Sequence, residues 1–209
     1  ELVQAFRYQA NGKTIYIPEP NPVVIYFDSA RNYFRQLKDH KDKVFENAKT
    51  FEENIEGVNG DFYWYFSMAS SYAIFLFSAV EAFVNMSIPK DYKYERSIQD
   101  KRSEIFNRSQ LQRYVEFAEK IKTVLPEVTN KNFVVEHTHK FEYLMKLKSF
   151  RDEVAHTKAY DGGPTANSYQ NLYVMSLVFE YEKTLHYVRD FINYHKPDLI
   201  EECDCERDN

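Results

Sequence analysis

Nineteen consecutive residues, Phe62 through Val80, carry no charge, and this run limits what the chain can fold into more than any other feature. Its length approaches that of a bilayer-spanning helix, so two readings compete: a membrane helix, or the central helix of a bundle. The run holds four serines and three tyrosines, is bracketed by Asp61 and Glu81 instead of Lys or Arg, and is followed by Asn85. These features fit a helix covered by other helices better than one in lipid. No membrane partner is expected.

The rest of the 209 residues supports an all-α chain with a single core. Only 5 Gly and 7 Pro are present, too few turn residues for a sandwich or barrel of many short strands. The 17% aromatic content supplies large side chains to fill a helical core. Apolar spacing predicts helices over about 23–55, closed by Gly57 and Gly60, and 61–87, capped by Asp61. Further helices are predicted from Ser109 to a stop at Pro126, over about 137–159, and over about 167–194. Residues 90–108 read as a connector or short helix, and Asp161-Gly162-Gly163-Pro164 as a break.

One hairpin is expected. Ala5–Ala10 and Lys13–Ile17 flank Asn11-Gly12, the pair that best tolerates the positive φ angles of a type I′ turn. It is the only sheet anticipated, so the chain divides into an N-terminal β-hairpin over 1–20, a helical domain over 21–196 and an acidic tail over 197–209.

Charge narrows the ligands. Overall the chain carries −5, yet residues 90–158 hold 15 Lys and Arg against 11 Asp and Glu. General nucleic-acid binding is disfavoured, but this central segment can attract phosphate locally. Cys203 and Cys205 sit two apart in the tail, where they make neither a disulfide framework nor a zinc site. A cytoplasmic setting is expected, and no segment reads as a signal peptide.

Familiar chemistries find no support. The chain lacks His-Glu-x-x-His, Gly-x-Ser-x-Gly and any glycine-rich dinucleotide loop. Gly12-Lys13-Thr14 matches the end of a phosphate-binding loop, but Arg7 stands where that motif needs its first glycine. His137-Thr138-His139 beside Glu136 lacks identifiable further ligands. No metal or other cofactor is expected.

Two polar residues in the apolar helix invite attention. Glu81 and Asn85 lie one turn apart on one face, and a carboxylate in such a helix needs a partner or a shifted pKa.

Phe150-Arg151-Asp152-Glu153-Val154-Ala155-His156 is the most informative stretch. It resembles the signature of the HEPN superfamily: an Arg, a polar residue, three more residues, then His. An apolar helix containing Glu81-Ala82-Phe83-Val84-Asn85 precedes it, and one long helix follows, so the resemblance covers roughly Asp61 to Tyr194. It implies a helical bundle, commonly dimeric, in which the motifs of two copies face one another. Arg151 and His156 then take the catalytic positions, Asp152 the accessory polar one, and Glu81 and Asn85 support them. One departure is clear: HEPN toxins paired with nucleotidyltransferase antitoxins carry Tyr two positions after the His, where this chain has Lys158, its next tyrosine being Tyr160.

The residue types suit metal-independent cleavage of RNA. A neutral imidazole accepts the 2′-hydroxyl proton and an imidazolium protonates the departing 5′-oxygen, because imidazole titrates near neutrality. A guanidinium offers paired donors to the charge on the phosphorane-like transition state. The expected activity is an endoribonuclease in a toxin or defence setting, with RNA as substrate, a homodimer as the working unit and a protein antitoxin or regulator as a further partner. The alternative is a non-catalytic HEPN module for dimerisation, partner binding or nucleotide binding. A regular helix would separate Arg151 and His156 by about 140°, so helix distortion, the reach of Arg or a second copy must reconcile them.

Overall fold

A computed structural model of the chain describes residues 4–49, 55–98, 102–156 and 169–201. Lys158, Tyr160, the break at 161–164, both cysteines and the tail beyond Glu201 lie outside the described residues. The fold is mostly helical, a bundle with two small antiparallel hairpins.

The first hairpin joins β1 (Ala5–Ala10) to β2 (Lys13–Pro18), with Ala10 opposite Lys13. Asn11 and Gly12 have φ of 49° and 74°, as the predicted turn requires. Asn21 then caps α1 (Pro22–Ala48), its side chain accepting from Val23 N at 3.0 Å, with Pro22 in the first turn.

The uncharged run becomes the centre of α2 (Ile55–Ser87). This is, among the described residues, the one helix long and apolar enough to cross a membrane by length and composition, and 50% of its most apolar window is buried in the bundle. It packs against α1, α5, α7, α8 and α9. Tyr65, Ala69, Tyr72, Ala73, Leu76, Phe77, Val80 and Val84 form its buried face and meet Phe27, Ala30 and Leu37 of α1 in one core. Each fully buried Leu or Phe contributes about 1.5–3 kcal/mol.

Several predicted boundaries are corrected. Gly57 and Gly60 do not close α1; both lie inside α2, where a Cβ at Gly60 would meet nothing within 4 Å. A glycine costs a helix only about 1 kcal/mol, and the packing downstream carries α2 through both. Asp61 is likewise no N-cap, but accepts from Asn47 of α1.

Residues 90–108 hold a second hairpin, β3 (Lys93–Ile98) and β4 (Arg102–Asn107), where a connector or short helix was predicted. Its physical basis is a small separate core: Tyr94 is buried with Ile88, Leu111, Val115 and Val124, and Phe106 packs against it. Arg96 clamps the hairpin to the following helical segment through a fork on Glu119, Nε to Oε1 at 2.9 Å and Nη2 to Oε2 at 2.6 Å.

The single helix predicted from Ser109 to Pro126 is in fact segmented. α3 (Arg108–Tyr114) is capped by Asn107, not Ser109, in a box with Gln110. α4 (Phe117–Glu119) runs through one π turn, Lys120–Val124, into α5 (Leu125–Thr129). Leu125 N–H donates five residues back to Lys120 O immediately before Pro126, which has no N–H of its own. The helical segment thus passes Pro126 instead of stopping there, and ends at Asn130 with φ 55°.

α6 (Phe133–Glu136) leads into α7 (Thr138–Ala155). The last predicted helix is two: α8 (Gln170–Val178) and α9 (Tyr181–His195), with Phe179 extended between them. Phe179 places its ring 5.0 Å from that of Phe150 and 5.1 Å from that of Tyr181. Buried hydroxyls satisfy the carbonyls near the break: Tyr181 Oη donates to Ser176 O at 2.5 Å and Tyr72 Oη to Tyr181 O at 2.6 Å. This pairing makes the break affordable inside the core.

Candidate functional site

The Phe150–His156 stretch closes α7, and its apolar members anchor it. Phe150 is buried in the core while Arg151, Asp152 and His156 turn to an open cleft of about 870 Å³. Glu81 of α2 lines the same cleft. Its other walls come from α3, the Val115–Lys120 segment and the start of α8, including Tyr169 and Asn171.

His156 is the C-cap of α7, with φ −119° and ψ 40°, and its N–H donates to Asp152 O at 2.9 Å. The φ and ψ of His156 have left helical values while its N–H keeps the helical pattern of bonding, and Arg151 and His156 both line the cleft whatever angle separates them about the helix axis. Arg151, Asp152 and His156 share one cleft in a single copy of the chain.

Arg151 is held from three sides. Its Nη2 lies 3.3 Å from Glu81 Oε1, its Nη1 3.0 Å from Asp152 Oδ1, and its guanidinium carbon 4.1 Å from the Phe77 ring centre. Asp152 is shared, since Lys148 Nζ reaches its other oxygen at 2.5 Å. The order along this wall is Glu81, Arg151, Asp152, Lys148, with alternating sign.

Asn85 does not line the cleft with its side chain. Its carbonyl accepts from Arg108 Nη2 at 3.3 Å and Gln112 Nε2 at 3.2 Å, joining the end of α2 to α3. Its buried Oδ1 has no hydrogen-bond partner. Asn85 thus meets the α3 wall through its backbone carbonyl.

Sequence reading missed Lys120. It is 7% exposed, lines the cleft and donates from Nζ to Gln112 O at 2.7 Å. Burial pushes its pKa below the ordinary lysine value, with Glu81 and Glu116 pulling it back up. Nothing in the spacing singles it out, because its inward aim depends on the π turn that it opens. Lys148 was missed for a simpler reason: in sequence it is one more charge on a helix surface.

The other histidines have structural surroundings. His137 packs against Phe133 and Tyr194, and His139 against Tyr143 and Tyr187 with Glu142 at 3.7 Å. Among the described residues no group of three or more His, Cys, Asp or Glu side chains gathers at one point.

The cleft can therefore present cationic donors and one imidazole to an anion. Compared with family models, curated proteins and solved structures, the chain matches none.

Proposed function

We propose that the chain is a HEPN-type, metal-independent endoribonuclease that works as a cytoplasmic homodimer. What carries this reading is the convergence of Arg151, Asp152 and His156 on one open cleft, beside Lys120 and Lys148. In the reaction a neutral His156 takes the proton of the 2′-hydroxyl as that oxygen attacks phosphorus. The bond from phosphorus to the 5′-oxygen breaks, and an imidazolium, supplied by His156 of a second copy, protonates the leaving oxygen. Arg151 leaves its carboxylates to pair with the charge developing on the phosphoryl oxygens. The products are a 2′,3′-cyclic phosphate and a 5′-hydroxyl. A toxin or defence effector restrained by a protein antitoxin or regulator is the setting this activity fits.

One observation favours a second reading. Both terminal nitrogens of Arg151 are already engaged by carboxylates, which would suit a HEPN module that binds a partner or nucleotide without catalysis. Purified protein incubated with single-stranded RNA in EDTA decides between them. Wild type should cut RNA, leave the matching DNA intact and yield cyclic-phosphate ends, while His156→Ala and Arg151→Ala should not cut although both remain helical and dimeric. A wild type that never cuts, with an Arg151→Ala variant that unfolds, leaves the binding module.

A further inference from the structure

Beside the cleft lies a second, shallower groove lined by Lys90, Asn107, Arg108, Ser109 and Gln112. Gln112 is common to both depressions. The wall between them is fixed by two side chains one turn apart on α3: Arg108 and Gln112 both donate to the Asn85 carbonyl, at 3.3 and 3.2 Å. α3 itself is held in place by its Asn107–Gln110 capping box.

The two depressions differ in charge. Among the described residues four cations and four carboxylates line the cleft, and their charges balance. Among the described residues the groove has two cations, an amide from Asn107, another from Gln112 and the Ser109 hydroxyl, and no carboxylate lines it. A surface of donors and uncompensated positive charge suits phosphodiester oxygens, and along a strand such contacts position the chain without reading its sequence.

We propose that the groove holds the backbone of single-stranded RNA flanking the nucleotide in the cleft, so that a bound strand crosses Gln112 and places the next phosphates on Lys90 and Arg108. This rests on the nucleic-acid reading of the cleft. The cleft alone serves a very short oligonucleotide; the groove adds affinity only when the strand is long enough to reach it.

The test uses uniformly 2′-O-methylated oligouridylates, which lack the nucleophilic hydroxyl, with the full-length protein and Lys90→Glu. Lys90 is exposed, so reversing its charge leaves the fold intact; Arg108→Gln, which retains a donor toward Asn85, is the second variant. Wild type should bind a 12-mer more tightly than a 3-mer. Each variant should weaken the 12-mer about ten-fold, change the 3-mer by less than about two-fold, and flatten the salt dependence of 12-mer binding by roughly one phosphate contact. Cleavage of unmodified RNA by wild type is measured in parallel. If wild type cuts RNA but neither variant alters 12-mer binding, the groove proposal fails and the ribonuclease reading stands. If nothing is cut but 12-mer binding depends on Lys90, the groove stands and the ribonuclease reading fails. A 12-residue polyglutamate that displaces the 12-mer at equal concentration would show a generic anion surface and overturn the RNA path.

Discussion

Arg151 of α7 and Glu81 of α2 meet at 3.3 Å, with the guanidinium carbon over Phe77, 4.1 Å from the ring centre. The contact joins the motif-bearing helix to the central helix at the edge of the cleft. Its side chains are 21% and 44% exposed, so solvent screens the pair and its net contribution is at most about 1 kcal/mol.

Glu81→Gln should therefore shift the melting temperature by no more than about 4 °C. It should also release one edge of Arg151 and raise affinity for a 2′-O-methylated oligonucleotide several-fold. Thermal melting and fluorescence anisotropy check both effects. A large loss of stability with unchanged affinity would make the pair a structural fastening and nothing more.

Tyr72→Phe isolates a different kind of contact. Tyr72 is fully buried and its hydroxyl donates at 2.6 Å to Tyr181 O beside the break between α8 and α9. Removing the hydroxyl keeps the ring but takes one buried donor from the Tyr181 carbonyl, which as part of the first turn of α9 keeps its helix partner, so the cost is about 0.5–1.5 kcal/mol. Urea denaturation should show a lower midpoint with an unchanged slope. No change in midpoint would mean that the break needs no hydroxyl.

Those tyrosines also show why the sequence was only partly legible. The N-terminal hairpin follows from local chemistry, because Asn11 and Gly12 demand their own φ angles. The central helix follows from composition, since nineteen uncharged residues must be covered. The α8–α9 break does not, because Phe179 has ordinary local preferences and turns extended only where Phe150 and Tyr181 receive its ring. The β3–β4 hairpin was hidden for a similar reason: its charges alternate with Tyr94 and Ile98, and Tyr94 finds a core only through Ile88, Leu111 and Val124. At the site, the Arg151–His156 spacing was visible, whereas Lys120 joined it through a π turn that no simple period describes.

Lys120→Met tests that missed residue. The desolvation relieved by removing the ammonium is opposed by the loss of its bond to Gln112 O, so stability should fall by no more than about 1–3 kcal/mol. Loss of the charge inside the cleft should nevertheless weaken binding of a 3-mer 2′-O-methyl oligonucleotide by about ten-fold, a readout that needs no cleavage. Unchanged binding would confine Lys120 to its bond with Gln112 O.

His195 sets the expected response to acid. Burial against Phe83 and Phe191, with Lys131 nearby, lowers its pKa from the ordinary 6.5 to about 4, and Glu136 opposes this. Its Nδ1 lies 3.2 Å from the Thr129 hydroxyl. The folded chain thus holds this imidazole neutral at a pH where the unfolded chain protonates it, so unfolding takes up a proton between about pH 6.5 and 4. Stability is complete above 6.5 and declines as pH falls through that window. Because His195 is only partly shielded from water, the loss should be no more than about 2 kcal/mol. His195→Gln, which keeps a polar group near Thr129, should flatten the pH dependence there while leaving stability at pH 8 within about 1 kcal/mol of wild type. Chemical denaturation at pH 8, 6 and 5 measures the difference, and parallel pH profiles for the two proteins would show that acid acts elsewhere.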